Sequence, residues 1–175
     1  MKNRGFDFDK ESSTDKHENK LFAAATLNLT TAFTDDLLSA KFGKLNIDDL
    51  FKAVIFKITP QFMQEMASIG FPNLDMEDLV KARIFKIDAD YVRQVRAMGF
   101  ENEDMEAMVK LRIFKVTPEF LREVQAEGLN NLSVEDATKL RIFKIDADFI
   151  RRAKADGVPL EVEKLVQKRI GVWRK

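Results

Sequence analysis

The feature that most constrains this chain is an internal repeat with a period of 29 residues. Three markers keep that period: the triplet Ile-Phe-Lys, an aromatic residue after it, and a glycine further on. The triplets begin at Ile55, Ile84, Ile113 and Ile142, the aromatic residues are Phe62, Tyr91, Phe120 and Phe149, and the glycines are Gly70, Gly99, Gly128 and Gly157. Such a period indicates a repeat architecture, in which one small motif buries its apolar face against its neighbours.

Each repeat carries start and stop signals for two helices. A residue suited to the N-cap precedes the first helix, and a carboxylate three residues later can complete a capping box. A second cap follows the triplet, and the glycine can adopt the left-handed conformation that ends the second helix. The first caps are Asn46, Asp75, Asp104 and Ser133, with Asp49, Asp78 and Asp136 as box partners; the second caps are Thr59, Asp88, Thr117 and Asp146, with Pro60 and Pro118 at the first helical position.

The two helices differ in how their apolar residues are distributed. The first helix is apolar almost all round, as at Leu50, Ile55 and Phe56, whereas the second confines apolar residues to one stripe. We therefore expect the first helix to be the better buried layer, with the Ile-Phe pairs in a continuous core. Helices of about 11 residues are not stable alone in water, so stacking must stabilise them. The predicted fold class is all-α, an α-solenoid of stacked αα-hairpins with about five repeats.

The period continues toward the N-terminus. Shifting the frame back by one repeat matches Phe22, Ala24, Leu29, Thr30 and Phe33 to their counterparts. The array is thus expected to begin near His17, which gives an α-helical repeat domain over residues 17–175. Residues 1–16 fall outside the period and form an N-terminal arm that is flexible or contains a short strand, since Phe and Asp alternate over Phe6–Asp9.

The period breaks at the C-terminus. Ile170 follows Ile142 by 28 residues, and no second helix is indicated after Gly171. A terminal repeat with an atypical outer side is typical of solenoids. We expect a capping half-repeat that ends at Trp173.

Two runs of sequence resemble a short bacterial tandem repeat of the form LRIxxVTPEFxREhRAxGF. They are Arg112-Ile113-Phe114-Lys115-Val116-Thr117-Pro118-Glu119-Phe120-Leu121-Arg122-Glu123 and Arg96-Ala97-Met98-Gly99-Phe100. The repeat is similar to regions appended to membrane metallopeptidase regulators of the beta-lactam-sensing kind, and the resemblance covers roughly residues 45 to 170. This chain has no His-Glu-x-x-His helix, so no peptidase residue carries over. The resemblance implies an interaction or sensing module.

Composition argues against most catalytic chemistry. The chain has no cysteine and a single histidine, which removes thiol nucleophiles, thiolate zinc sites and nearly all histidine-based metal chemistry. There is also no glycine-rich phosphate loop. We expect a non-enzymatic protein with no cofactor and no metal. The N-terminus has no secretory signal and no segment suits a bilayer, so the expected location is cytoplasmic and no membrane insertion is expected.

Basic residues that recur with the period form the candidate interaction surface. Their alignment in a stacked array would create positive ladders able to bind a phosphate backbone or an acidic peptide. The alternative is that the helix dipole alone favours acids early and bases late in the first helix. The candidate residues are Lys81, Arg83, Arg93, Lys110, Arg112, Arg122, Lys139, Arg141 and Arg151.

Three functional hypotheses follow. The first is a scaffold that binds a protein or peptide partner, with a possible sensing or regulatory role, because stacked hairpins present an extended face. The second is nucleic-acid or acidic-ligand binding through the ladders, which is disfavoured because Lys plus Arg and Asp plus Glu are equal at 29 each. The third is a structural module detached from a larger membrane-associated regulator.

Overall fold

The computed structural model describes residues 2–6, 22–40 and 45–174, and all regular structure within them is helical. A 3-10 helix spans Lys2–Arg4, and a helical segment covers residues 22–26. The α-helices that follow are α1 Thr31–Ser39, α2 Ile47–Ile55, α3 Pro60–Ser68, α4 Met76–Ile84, α5 Ala89–Ala97, α6 Met105–Ile113, α7 Pro118–Ala126, α8 Val134–Ile142, α9 Ala147–Ala155 and α10 Val162–Arg169. The prediction of an all-α repeat of αα-hairpins is confirmed.

The helices begin where the capping signals predict. Every predicted N-cap side chain accepts a hydrogen bond from the backbone N–H three residues later, as Thr117 does from Phe120. The frame shift toward the N-terminus also holds, since Thr30 caps α1 in the same way. Asp49 and Asp136 complete capping boxes. Asp78 instead pairs with Lys81.

Both helices of a repeat end in the same backbone motif but with different residues. The second helices end at glycines in the left-handed region, such as Gly99 with φ of 96°. The first helices place the lysine of the triplet in that region, with φ between 51° and 54° at Lys57, Lys86, Lys115 and Lys144. At Lys115 the hydrogen bonds are those of a Schellman motif: the Val116 N–H donates to the Leu111 carbonyl at 3.0 Å, and the Lys115 N–H to the Arg112 carbonyl at 3.2 Å.

The chain divides into two compact units, Met1–Lys86 and Ile87–Lys175. In the N-terminal unit, the first helices of adjacent repeats, α2 and α4, pack against each other. In the C-terminal unit, the first helices form one layer in which α6 packs on α8 and α8 on α10. The second helices form the other layer, where α7 packs on α9. Within each unit, these helices thus pack against the equivalent helix of the next repeat.

The first helices are the better buried layer, as predicted. In α6, five of nine residues are buried, whereas α7 buries three. The aromatic residue of the second helix is core at Phe62, Tyr91 and Phe120 and half-buried at Phe149. Each 29-residue repeat therefore contributes side chains at the same few positions to the core.

The expectation that the Ile-Phe pairs lie in the core is wrong for the isoleucines. About half of each side chain lies in water: 55% of Ile55, 52% of Ile84 and 49% of Ile113 and Ile142. The reason is helical geometry. Ile113 follows Leu111 by two positions, so it lies about 160° around the helix from that fully buried side chain. The phenylalanines of the triplets are half-buried.

Part of the N-terminal arm contacts the repeat domain. The Arg4 guanidinium forms a two-pronged ion pair with the Asp35 carboxylate, and this hydrogen bonding lowers the pKa of Asp35. Phe6 is buried. The rest of the strand predicted at Phe6–Asp9, like the predicted start of the array at His17, lies outside the described residues.

The C-terminal half-repeat consists of α10 alone. The helix ends at Gly171, whose φ of 79° is left-handed, and residues 172–174 are not helical. The Val172 and Trp173 N–H groups donate to the Gln167 carbonyl at 2.9 and 3.1 Å. The Lys168 ammonium lies 5.5 Å from the centroid of the Trp173 ring. The end of α10 therefore has the Schellman hydrogen bonds that also end other first helices, such as α6.

Candidate interaction surface

The exposed isoleucines form the most regular apolar feature of the surface. In the C-terminal unit they stand at the ends of α6, α8 and α10, which pack side by side. We call these three residues, Ile113, Ile142 and Ile170, the isoleucine row. Ile170 is 54% exposed, so the half-repeat continues the row. In the N-terminal unit, Ile55 and Ile84 hold the same position on α2 and α4.

An acidic and a lysine position share the exposed face of the first helices with the isoleucines. Glu106, Lys110 and Ile113 are spaced four and three residues apart, so they lie along one line on α6. Lys110 contacts Glu106 at 3.4 Å and Glu135 of the next repeat at 3.7 Å. The negative charge of Glu106 raises the pKa of Lys110.

The same pairing recurs in other repeats. Lys139 pairs with Glu163, and this hydrogen bond raises the pKa of the lysine. In the N-terminal unit Lys52 pairs with Glu77, and Lys81 contacts Asp78 at 3.0 Å. The lysine ladder is thus matched by an acidic ladder along the same face.

The arginines that precede the exposed isoleucines connect one repeat to the one before. The Arg83 guanidinium donates to the Lys57 carbonyl at 2.8 Å and lies 3.6 Å from the centroid of the Phe62 ring. In the C-terminal unit Arg141 and Arg169 repeat this arrangement with the carbonyls and rings of the preceding repeat, and Arg112 lies 3.8 Å from the centroid of the Tyr91 ring. A cation at a helix C-terminus is favoured by the helix dipole, and over an aromatic face by the ring quadrupole.

The arginines of the third ladder lie on the second helices and are paired along them. Arg93 bonds to Asp90, Arg122 to Glu119 at 2.9 Å, and Arg151 to Asp148. Arg151 also reaches Glu127 at 2.8 Å, and this hydrogen bond raises the pKa of Arg151. The pairs within one helix are exposed, and exposed ion pairs contribute little to stability because water and salt screen them.

The candidate residues therefore occupy three kinds of position within a repeat. The Lys81, Lys110 and Lys139 positions lie on the exposed face of the first helices, the Arg83, Arg112 and Arg141 positions at the ends of those helices, and the Arg93, Arg122 and Arg151 positions on the second helices. All nine make intramolecular contacts with carboxylates, carbonyls or aromatic rings. Within the C-terminal unit, the lysines on the first helices and the arginines on the second helices therefore lie in different helix layers.

A shallow cavity of about 220 Å³ lies beside the end of α6. Its wall includes Gln94, Arg112 and Lys115 and the ring of Tyr91. The Tyr91 hydroxyl donates to the Met108 carbonyl at 3.2 Å, and burial raises the pKa of Tyr91 to about 12. A phenol held neutral in this way supports packing.

The prediction that the exposed isoleucines lie in the core rests on how many residues of the first helix are apolar and not on which side of the helix these residues lie. Buried positions of α6 such as Met105, Met108 and Val109 follow the three- and four-residue spacing of one helix face. Ile113 instead continues the line of Glu106 and Lys110. Its alignment with a charged line, three residues after a lysine, is the signal in the sequence that marks it as exposed.

Other classes of site find no support in the described residues. No group of three or more His, Asp or Glu side chains there is arranged to hold a metal ion. Within the same residues, no helix combines the length and apolar character that crossing a bilayer requires. Comparison of the chain with protein-family models, with curated proteins and with solved structures gives no match.

Proposed function

We propose that this protein is a non-enzymatic repeat scaffold that binds a protein or peptide partner through its exposed isoleucines. The observation that supports it is the recurrence of one half-exposed isoleucine at the end of every first helix from α2 to α8, and of Ile170 after α10. Exposed apolar groups that line up in a row mark interaction surfaces, whereas scattered ones carry no such meaning.

The energetics favour binding through several repeats at once. Covering the exposed half of one isoleucine is worth roughly 1 kcal/mol, since full burial of such a side chain contributes about 1.5–3 kcal/mol. A single repeat cannot offset the entropy lost on association. Binding along the row adds the contributions of successive repeats, which is how repeat arrays achieve affinity.

The charge pattern weighs against the nucleic-acid alternative. Binding to a phosphate backbone requires cations that can release counterions on contact. Here the lysine and second-helix arginine ladders face carboxylates of the chain itself, which neutralise most of their charge. Zero net charge adds no long-range attraction.

The test is a pull-down with a variant of the row. We expect Ile113→Ser with Ile142→Ser to lose a protein partner that the unaltered chain retains at about 0.3 M salt, where exposed ionic contacts are largely screened. The matched control is Ala126→Ser with Ala155→Ser, which changes two exposed residues of the second helices. Retention of the partner by the isoleucine variant, or loss of all binding on nuclease treatment, contradicts the proposal.

A further inference from the structure

The isoleucine row lies at the cationic end of the first helices. Four cations in the C-terminal unit lie within two residues of a row isoleucine and have no carboxylate partner among the described residues. They are Lys115, Arg141, Lys144 and Arg169. The exposed carboxylates Glu106, Glu135 and Glu163 stand at the opposite end of these helices, where Lys110 and Lys139 pair with them.

The carboxylates that begin the next helix are also engaged. Asp146 caps α9 through the Phe149 N–H at 2.8 Å, and Asp148 pairs with Arg151. Glu119, at the start of α7, pairs with Arg122. The positive charge beside the row is therefore not neutralised by these neighbours.

Two of these cations, Lys115 and Lys144, have a left-handed backbone conformation that is sterically unfavourable for lysine. Their φ values are 53° and 51°, where the Cβ of an L-residue crowds the following carbonyl oxygen. Elsewhere the chain uses residues that tolerate this conformation: Gly128 and Gly157 end the second helices, and Gly171 ends α10. Lysine is thus placed where the fold itself favours glycine.

The helix dipole does not account for these lysines. The carbonyls that end α6 and α8 already receive a cation, because Arg141 donates to the Phe114 carbonyl at 3.0 Å and Arg169 to the Phe143 carbonyl at 2.9 Å. Both lysine side chains are exposed and beside the row. Their charge is available to something outside the chain.

We infer that the occupant of the isoleucine row is an acidic amphipathic helix. This inference rests on the proposed function and names its partner class. Adjacent first helices pack directly, which sets the row spacing at about 8–10 Å. A helix presents side chains seven residues apart at a spacing of about 10.5 Å, so one apolar residue per heptad meets one isoleucine. Carboxylates flanking that stripe then face Lys115, Lys144 and the exposed edges of Arg141 and Arg169.

The experiment is a selection from a displayed library of single helices. The positions of one face, at seven-residue spacing, and the positions flanking it are randomised. The full-length protein is the target, and binders retained by the Ile113→Ser, Ile142→Ser variant are discarded. We expect the remaining helices to carry Leu, Ile or Phe on the face and an excess of Asp and Glu beside it.

Each outcome of the selection decides between the two proposals. Helices enriched in apolar residues but neutral or basic at the flanks overturn the acidic partner and leave the isoleucine row as the binding surface. If no helix is enriched after the variant is used for removal, both the acidic partner and the isoleucine row are overturned.

A second measurement separates charge from folding. Lys115→Gly with Lys144→Gly removes both charges and places glycine where the backbone favours it, so the melting temperature should not fall by more than a few degrees. Binding of an enriched acidic helix should weaken about fivefold, the effect of losing two exposed ion pairs. Unchanged binding by this variant overturns the role of the lysines.

Discussion

At the ends of α4, α8 and α10 one arginine makes two contacts that no lysine can make together. Arg141 donates to the Phe114 carbonyl and covers the face of the Phe120 ring with one planar guanidinium. A lysine ammonium is a compact charge that can serve the carbonyl or the ring but not both. The two contacts account for an arginine before the exposed isoleucine at Arg83, Arg141 and Arg169. Arg112, at the same position of α6, makes the ring contact with Tyr91.

Replacing Arg141 therefore should destabilise the fold. Arg141→Ala should lower the free energy of unfolding by about 1–2 kcal/mol. This is less than the roughly 2–4 kcal/mol to which one charged hydrogen bond and one cation–π contact sum, because the Arg141 side chain is exposed to water. Arg141→Lys should recover less than half of that loss. Urea unfolding followed by circular dichroism measures both. Full recovery by lysine would show that charge alone is needed.

Unlike the phenylalanines at the equivalent positions Phe62, Phe120 and Phe149, Tyr91 has a hydroxyl that can ionise. Burial raises its pKa to about 12 from an ordinary value of 10.0, so the folded state keeps the proton where the unfolded state has lost it. The stability this provides is complete below pH 10 and is lost as the pH rises to about 12.

Tyr91→Phe tests this titration with a residue that other repeats use. We expect the variant to lose less stability than the unaltered chain between pH 10 and 12, by about 1–2 kcal/mol after allowance for screening by water. The measurement is urea unfolding across that range, with the difference at pH 8 as the reference. Parallel pH profiles for the two proteins would contradict the assigned burial of the phenol.

At the level of elements, the apolar residues of a first helix fall into two groups: those buried in the core and the isoleucine that is half exposed to water. Leu111 is fully buried between the helix layers, and Ile113, two residues later, is half in water. The cost of truncating an apolar side chain depends on the cavity that it leaves, and an exposed site leaves none.

Truncation of the two residues should accordingly change the free energy of unfolding to very different extents. Leu111→Ala should lower the free energy of unfolding by about 2–5 kcal/mol, whereas Ile113→Ala should change it by less than about 1 kcal/mol. Thermal unfolding of the two variants side by side is sufficient. Equal losses of unfolding free energy in the two variants would indicate that Ile113 is buried and would contradict this prediction.

Local signals account for what could be predicted from the sequence. Thr117 and Gly128 begin and end a helix through hydrogen bonds to residues within six positions, so their neighbours in sequence determine their roles. The exposure of Ile113 depends instead on which sides of α6 its neighbours cover. The sequence marks that exposure only through the alignment of Ile113 with Glu106 and Lys110, which a count of apolar residues overlooks. The paired state of Lys110 and Arg122 emerges only once the helices are packed.

At the level of the whole chain, the repeat predicts which deletions the fold tolerates. Removing residues 117–145 deletes one full period and joins Val116 to Asp146, which caps the next helix as Thr117 did. Circular dichroism should report a helical protein that still unfolds cooperatively. Because repeats contact only their neighbours, the loss is one interface's share of stability.

A deletion out of register is the control. Removing residues 117–131 deletes one helix of the pair and brings two first helices into sequence, so the apolar stripe of each later helix meets the wrong layer. We expect loss of cooperative unfolding. If both deletions behaved alike, the 29-residue unit would not be the unit of folding.

The most direct test is the accessibility of the isoleucine methyl groups to a soluble paramagnetic agent, read by methyl NMR of the labelled protein. The agent should broaden the methyl signals of the exposed isoleucines, Ile55, Ile84, Ile113, Ile142 and Ile170, and spare the buried ones, Ile47, Ile58, Ile87, Ile145 and Ile150. Protection of Ile113 and Ile142 to the same extent as Ile145 and Ile150 would contradict the account.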